Sequence, residues 1–78
     1  MTPREKNLAD ISEIAYKYGF TVDDIIGKRK YKMLMKARRE CVAMLRAKGL
    51  TTLQIGKIMA RDHSTIVHSL QILAAQNG

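Results

Sequence analysis

Apolar residues recur along the whole chain at steps of three and four, and no run of five or more residues alternates as a strand would. The pattern therefore predicts an all-α protein, a small helical domain of about five helices spanning residues 1–78. A first helix over about residues 5–18 carries Leu8, Ile11, Ile14, Ala15 and Tyr18 on one face, and Gly19 ends it. Thr21 reads as the N-cap of a short second helix, with Asp24 three residues on as a partial capping box and Gly27 as its stop. The basic run Lys28-Arg29-Lys30-Tyr31-Lys32 follows as a loop or helix entry. The longest helix is expected at about residues 32–48, with Leu34, Ala37, Cys41, Met44 and Leu45 as its core stripe and Lys36, Arg39 and Arg46 mainly outside it. Gly49 ends that helix. Thr51 or Thr52 caps a fourth, about residues 52–60, with Ile55, Ile58 and Met59 inward. After the turn Ala60-Arg61-Asp62 a fifth helix covers about residues 63–75. Its core stripe is Ile66, Val67, Leu70, Leu73 and Ala74, its opposite face Ser64, Thr65, His68 and Ile72, and residues 76–78 are expected to fray.

The last two helices and their tight turn make a helix-turn-helix after a longer support helix, about residues 52–75. In that motif the second helix enters the major groove and its first residues meet base edges. Here those residues are Asp62, His63, Ser64 and Thr65, all short and able to hydrogen-bond. Asp62 can accept from a cytosine amine, and the Thr65 methyl can touch a thymine methyl. A plain N-cap role suits Asp62 slightly better and is compatible with base reading, because a carboxylate has two oxygens.

Charge strengthens this reading. The 78-residue chain has a formal net charge of +7. Residues 1–26 carry a net of −2, residues 27–48 hold nine cations against Glu40 for a net of +8, and residues 49–78 add +1. One central segment thus generates the field, and a polyanion is its natural partner. The composition excludes other classes. A chain of this length has no room for a two-domain cleft or a nucleotide-hydrolysing fold. With one cysteine, Cys41, it has no internal disulfide and no paired-cysteine zinc site, which suits a reducing, cytoplasmic compartment. His63 and His68 are five apart, a spacing that does not stack them on one helix face. No phosphate-loop motif, catalytic constellation or apolar run of about 18 residues occurs. The expectation is a non-enzymatic protein without cofactor or metal, with no membrane or nucleotide partner, working as a monomer.

The run Arg61-Asp62-His63-Ser64-Thr65-Ile66-Val67-His68 resembles the RDHTTVLH signature of the C-terminal DNA-binding domain of the bacterial replication initiator DnaA. Upstream, Ile25-Ile26-Gly27-Lys28-Arg29-Lys30 is similar to that family's basic loop, Ala37-Arg38-Arg39 lies where it has P-R-Q, and Ile55-Gly56 matches the I-G of its fourth helix. The resemblance runs from about residue 8 to residue 74. It implies an all-helical domain that reads DnaA boxes, typified by TTATCCACA, with the helix-turn-helix in the major groove and the basic loop in the adjacent minor groove. Carried over residue by residue, it puts the minor-groove arginine at Lys30, flanked by Lys28 and Arg29. The phosphate-binding arginine falls on Arg38 and the polar residue after it on Arg39. The base readers are Asp62, His63 and Ser64, the backbone contacts are Thr65 and His68, and Arg61 opens the signature.

Four departures bear on those roles. Lys30 replaces an arginine, Ser64 a threonine, and the turn before Arg61 is one residue shorter than the family's G-G-R-D. The ATPase module that assembles DnaA on an origin is missing, while Met1-Thr2-Pro3 looks like a natural start. The leading expectation is a stand-alone, sequence-specific double-stranded DNA-binding protein, in the bacterial or phage-encoded, nucleoid-associated setting, acting in replication initiation or its regulation. The alternatives are a phage or mobile-element repressor with another target, and an interaction module that docks on replication proteins.

Overall fold

The computed structural model describes residues 2–77, in five helices: α1 (Pro3–Lys17), α2 (Val22–Ile26), α3 (Lys32–Ala47), α4 (Thr52–Met59) and α5 (His63–Asn77). Side-chain caps set the starts of α1, α2 and α4. α1 begins two residues earlier than the apolar pattern suggests, because the Thr2 hydroxyl accepts from the Glu5 N–H at 3.2 Å and Pro3 occupies the first turn. Thr21 and Asp24 form a complete capping box, each side chain accepting from the other's backbone N–H at 3.0 and 3.2 Å. Thr51, rather than Thr52, caps α4, in a second such box with Gln54. Gly19 and Gly49 take left-handed backbone and end α1 and α3, with Phe20 N–H donating to Ala15 O and Leu50 N–H to Leu45 O.

α3 is the spine. α1, α2, α4 and α5 all pack on it, and α4 and α5 pack on each other as the helix-turn-helix. The core joins Ile11 and Ala15 of α1, Ile25 of α2, Leu34, Ala37, Cys41, Val42 and Leu45 of α3, Ile55 and Met59 of α4, and Ile66 of α5. Each fully buried Leu or Ile contributes about 1.5–3 kcal/mol. Burial pushes the Cys41 thiol up to about 12, so it stays protonated and acts as a small apolar side chain. Two polar clusters fasten α1 to α3. Glu40 accepts from Lys17 Nζ at 2.6 Å and from the Tyr18 hydroxyl at 2.9 Å. Lys48 Nζ donates to Asn7 Oδ1 at 3.0 Å and pairs with Asp10.

Several expectations about the core need correcting. Val42, outside the expected stripe, is buried, and Met44, inside it, is only half-buried. In α5 the stripe holds for Ile66, with Val67, Leu70 and Leu73 half-buried, but fails at Ala74, which is exposed, and Ile72, assigned to the outer face, is half-buried. The helix outruns the core, so its last turns have little to pack against. They nevertheless stay helical through Asn77, where fraying from residue 76 was expected; Gly78 lies outside the described residues.

The turn between α4 and α5 places the second helix of the motif. Its main contact is a close backbone approach: a Cβ on Gly56 would lie 2.8 Å from the Arg61 carbonyl, and the Arg61 N–H donates to Gly56 O at 2.8 Å. The shortened turn reverses the chain at one residue, Ala60, whose φ of 54° and ψ of 46° are left-handed. That conformation costs a non-glycine residue about 1–2 kcal/mol. Ala60→Gly should therefore stabilise the fold by about 0.5–1 kcal/mol after the added freedom of the unfolded chain is subtracted. Thermal unfolding followed by circular dichroism checks this, with a rise of about 2–8 °C expected. A lower midpoint would mean that the alanine methyl has a packing role.

Candidate nucleic-acid interface

α5 presents its first turn to solvent. Asp62, His63, Ser64 and Thr65 are exposed, as is His68 one turn further on. Asp62 holds the cap position through its main chain, its carbonyl accepting from the N–H groups of Thr65 at 3.1 Å and Ile66 at 3.2 Å. The expected side-chain cap is not formed. Among the described residues no group donates to the Asp62 carboxylate, so both oxygens are open to a partner. His63 is held from the side: its Nδ1 lies 2.8 Å from the Thr52 hydroxyl, at the start of α4. Whichever of the two donates, Nε2 is the ring's uncommitted nitrogen. The Thr52 contact joins residues eleven apart in sequence, and the chain pattern offered only a capping role for Thr52.

The basic loop lies alongside this helix. Lys28 and Lys30 from the loop, Arg38 and Arg39 from α3, Arg61 from the α4–α5 turn, and Thr65 and Ser69 from α5 line one groove of about 360 Å³. Met35, Val42, Met59 and Ile66 make its apolar floor. Lys28, Arg29 and Lys30 are exposed and Arg39 is half-buried, and none of them pairs with an acid among the described residues. Ser64 and His68 stand apart from this groove. Ser69, half-buried on its wall, is a hydroxyl that the sequence reading left out.

Arg38 requires a correction. It was expected on phosphate, yet it is only 7% exposed, and its guanidinium faces inward. Nε donates to Ile25 O at 2.7 Å, Nη2 to Asp24 O at 2.8 Å and Gly27 O at 2.7 Å, and Nη1 to Arg29 O and to the Met35 sulfur at 3.5 Å. A guanidinium has five N–H donors, and all are engaged inside the protein. Desolvation, and then the nearby Arg61 charge, pull the Arg38 pKa below its ordinary value. The group that crowds it is equally committed. Arg61 Nη1 donates to Ile26 O at 2.9 Å, with longer bonds to Met59 O and Ala60 O at 3.3 and 3.2 Å, and Nη2 donates to Gly27 O. Arg61 was counted among the DNA contacts, but its charge is directed at the end of α2. The physical reason is the same for both. α2 is five residues long and leaves its last carbonyls unpaired, and the two arginines supply the missing donors.

The site is thus a helix-turn-helix with an open polar head, set beside a cationic groove. The model of the bacterial dnaA protein helix-turn-helix matches residues 10–72 of the chain. The chain belongs to the DnaA helix-turn-helix family. No solved structure matches the chain at a significant level. Membership of the DnaA family implies DNA binding, and the DnaA-type signature Arg61–His68 falls on the α4–α5 turn and the first two turns of α5. Within a DnaA helix-turn-helix, the one-residue shortening before Arg61 is absorbed by the left-handed Ala60. Among the described residues no helix is long and apolar enough to cross a membrane, and no cluster of three or more His, Cys, Asp or Glu could hold a metal.

Proposed function

We propose that the chain is a monomeric, cytoplasmic reader of double-stranded DNA that recognises a DnaA-box-like site in replication initiation or its regulation. The observation that carries the reading is the open first turn of α5: the unpaired Asp62 carboxylate, the Ser64 hydroxyl, and a His63 ring fixed by Thr52 with Nε2 uncommitted. Asp62, His63 and Ser64 meet base edges in the major groove. Lys30 enters the adjacent minor groove with Lys28 and Arg29 at its rim. Arg39, Thr65 and His68 lie along the phosphates between the two grooves. Ser64 in place of threonine removes a methyl from the base-reading surface and changes preference at one position of the site.

The test is fluorescence anisotropy on a labelled TTATCCACA duplex against a scrambled duplex of equal composition. Preference for the box is the expected result. His63→Ala should cost about 1–3 kcal/mol on the box and little on the scrambled duplex. Equal binding to both duplexes would leave a DNA-binding protein with another target. Absence of binding to either would favour an interaction module for an acidic protein partner.

A further inference from the structure

One carbonyl joins three parts of the molecule. Gly27 O, at the end of α2, accepts from Arg38 of α3 at 2.7 Å and also from Arg61 of the α4–α5 turn. Arg38 extends the hold into the basic loop through Arg29 O, and Arg61 extends it back through Ile26 O at 2.9 Å. Between Gly27 and Tyr31, where α3 is capped, the loop has no other hydrogen bond to the body among the described residues. Its side chains at Lys28, Arg29 and Lys30 are exposed and contribute no anchoring.

We infer that Arg38 and Arg61 are positioning residues for DNA recognition: together they fix the basic loop in register with α5, so that loop and helix meet the duplex as one preformed reader. This rests on the functional reading above. Neither arginine then adds its charge to a phosphate. A planar guanidinium can serve several carbonyls at once, whereas an ammonium is a point donor on a flexible stem, so lysine keeps the charge and loses the geometry. A loop released by that change must be ordered at the moment of binding. Fixing one backbone residue corresponds to roughly tenfold in affinity.

The experiment uses the full chain with Arg61→Lys, and with Arg39→Gln as the comparison for a lost phosphate contact. Arg61 is half-buried, so its lysine variant is the one expected to fold, as helical circular dichroism will report. Two readouts are taken. The ¹⁵N heteronuclear NOE of residues 28–30 in the free protein reports loop order. Anisotropy on the TTATCCACA and scrambled duplexes over a range of salt reports specificity and the number of phosphates engaged. Arg61→Lys should loosen residues 28–30 and weaken binding to both duplexes about tenfold, with the log–log salt slope unchanged. Arg39→Gln should weaken both duplexes alike and make the slope smaller by about one. A loop as ordered in Arg61→Lys as in the parent chain would overturn the inference, as would a slope that falls by one. If the parent chain binds DNA without preferring the box, the target fails but loop order and slope on the scrambled duplex still decide the clamp. Failure to bind either duplex would refute the functional reading and the recognition role of both arginines with it.

Discussion

Replacing Arg38 by Met should cost about 3 kcal/mol of folding stability and lower the thermal midpoint by about 12–24 °C. Methionine is similar in reach and keeps the apolar stem, so little of the loss comes from a cavity. The loss comes from carbonyls. Arg38 alone serves Ile25 O, Asp24 O and Arg29 O, and shares Gly27 O with Arg61. A buried acceptor left without a donor costs about 1–3 kcal/mol. Ile25 is fully buried, so its carbonyl lies in a part of the fold with little access to water. Water can reach the loop carbonyls more easily, which is why the expected total is nearer one or two such penalties than four. A phosphate-binding arginine on the surface would behave in the opposite way, since its removal would leave the midpoint almost unchanged and weaken DNA binding. Thermal unfolding of Arg38→Met followed by circular dichroism separates the two.

That contrast also shows how far the sequence could be read. The five helices followed from apolar spacing, and the stops at Gly19 and Gly49 and the Thr21–Asp24 box followed from side-chain chemistry. These signals are local, and local signals survive folding. The burial of Arg38 was not legible because its hydrogen bonds are set by another segment: the short helix α2, which lacks donors for its last carbonyls. A hint was present. Arg38 sits between Leu34 and Val42 at steps of four, on the face that α3 buries, and a charged residue on a buried stripe calls for internal partners. Arg61 offered no such hint, because a turn arginine carries no periodicity. The Thr52–His63 contact was hidden for a related reason, since it exists only once α4 and α5 cross. The end of α5 misled in the other direction. Leu73 and Ala74 continue the pattern, but the helix has run past the core by then, so Ala74 is exposed.

The same accounting revises the charge. Of the nine cations between residues 27 and 48, Arg38 is buried, Lys48 pairs with Asp10, and Arg46 donates to Leu50 O at 2.8 Å. Lys28, Arg29, Lys30, Lys32, Lys36 and Arg39 remain without an acid partner among the described residues. The loop, the first turns of α3 and Arg39 therefore carry most of the segment's unpaired charge, with the exposed Arg46, whose carbonyl partner is neutral, adding its own near the end of α3. Of the acids of α1, Asp10 is tied to Lys6 and Lys48.

Salt sensitivity should follow that reduced count. With about four to six phosphates neutralised, the slope of log K against log salt is about −4 to −5, and affinity falls about 10²–10³-fold between 50 and 200 mM salt. The upper end requires all six free cations to reach the duplex. The lower end requires only the three loop residues and Arg39; of these Lys28, Lys30 and Arg39 line one groove with Thr65 of α5. A slope well beyond −5 would mean that cations outside these six, such as the exposed Lys57 of α4 and Arg46 of α3, also reach the duplex. A slope near zero would remove the electrostatic account altogether. Anisotropy titrations on the scrambled duplex are the cleanest measurement, since non-specific binding is almost entirely this term. The slope on that duplex then counts phosphates directly, and the box-over-scrambled ratio at fixed salt isolates what Asp62, His63 and Ser64 add through the bases.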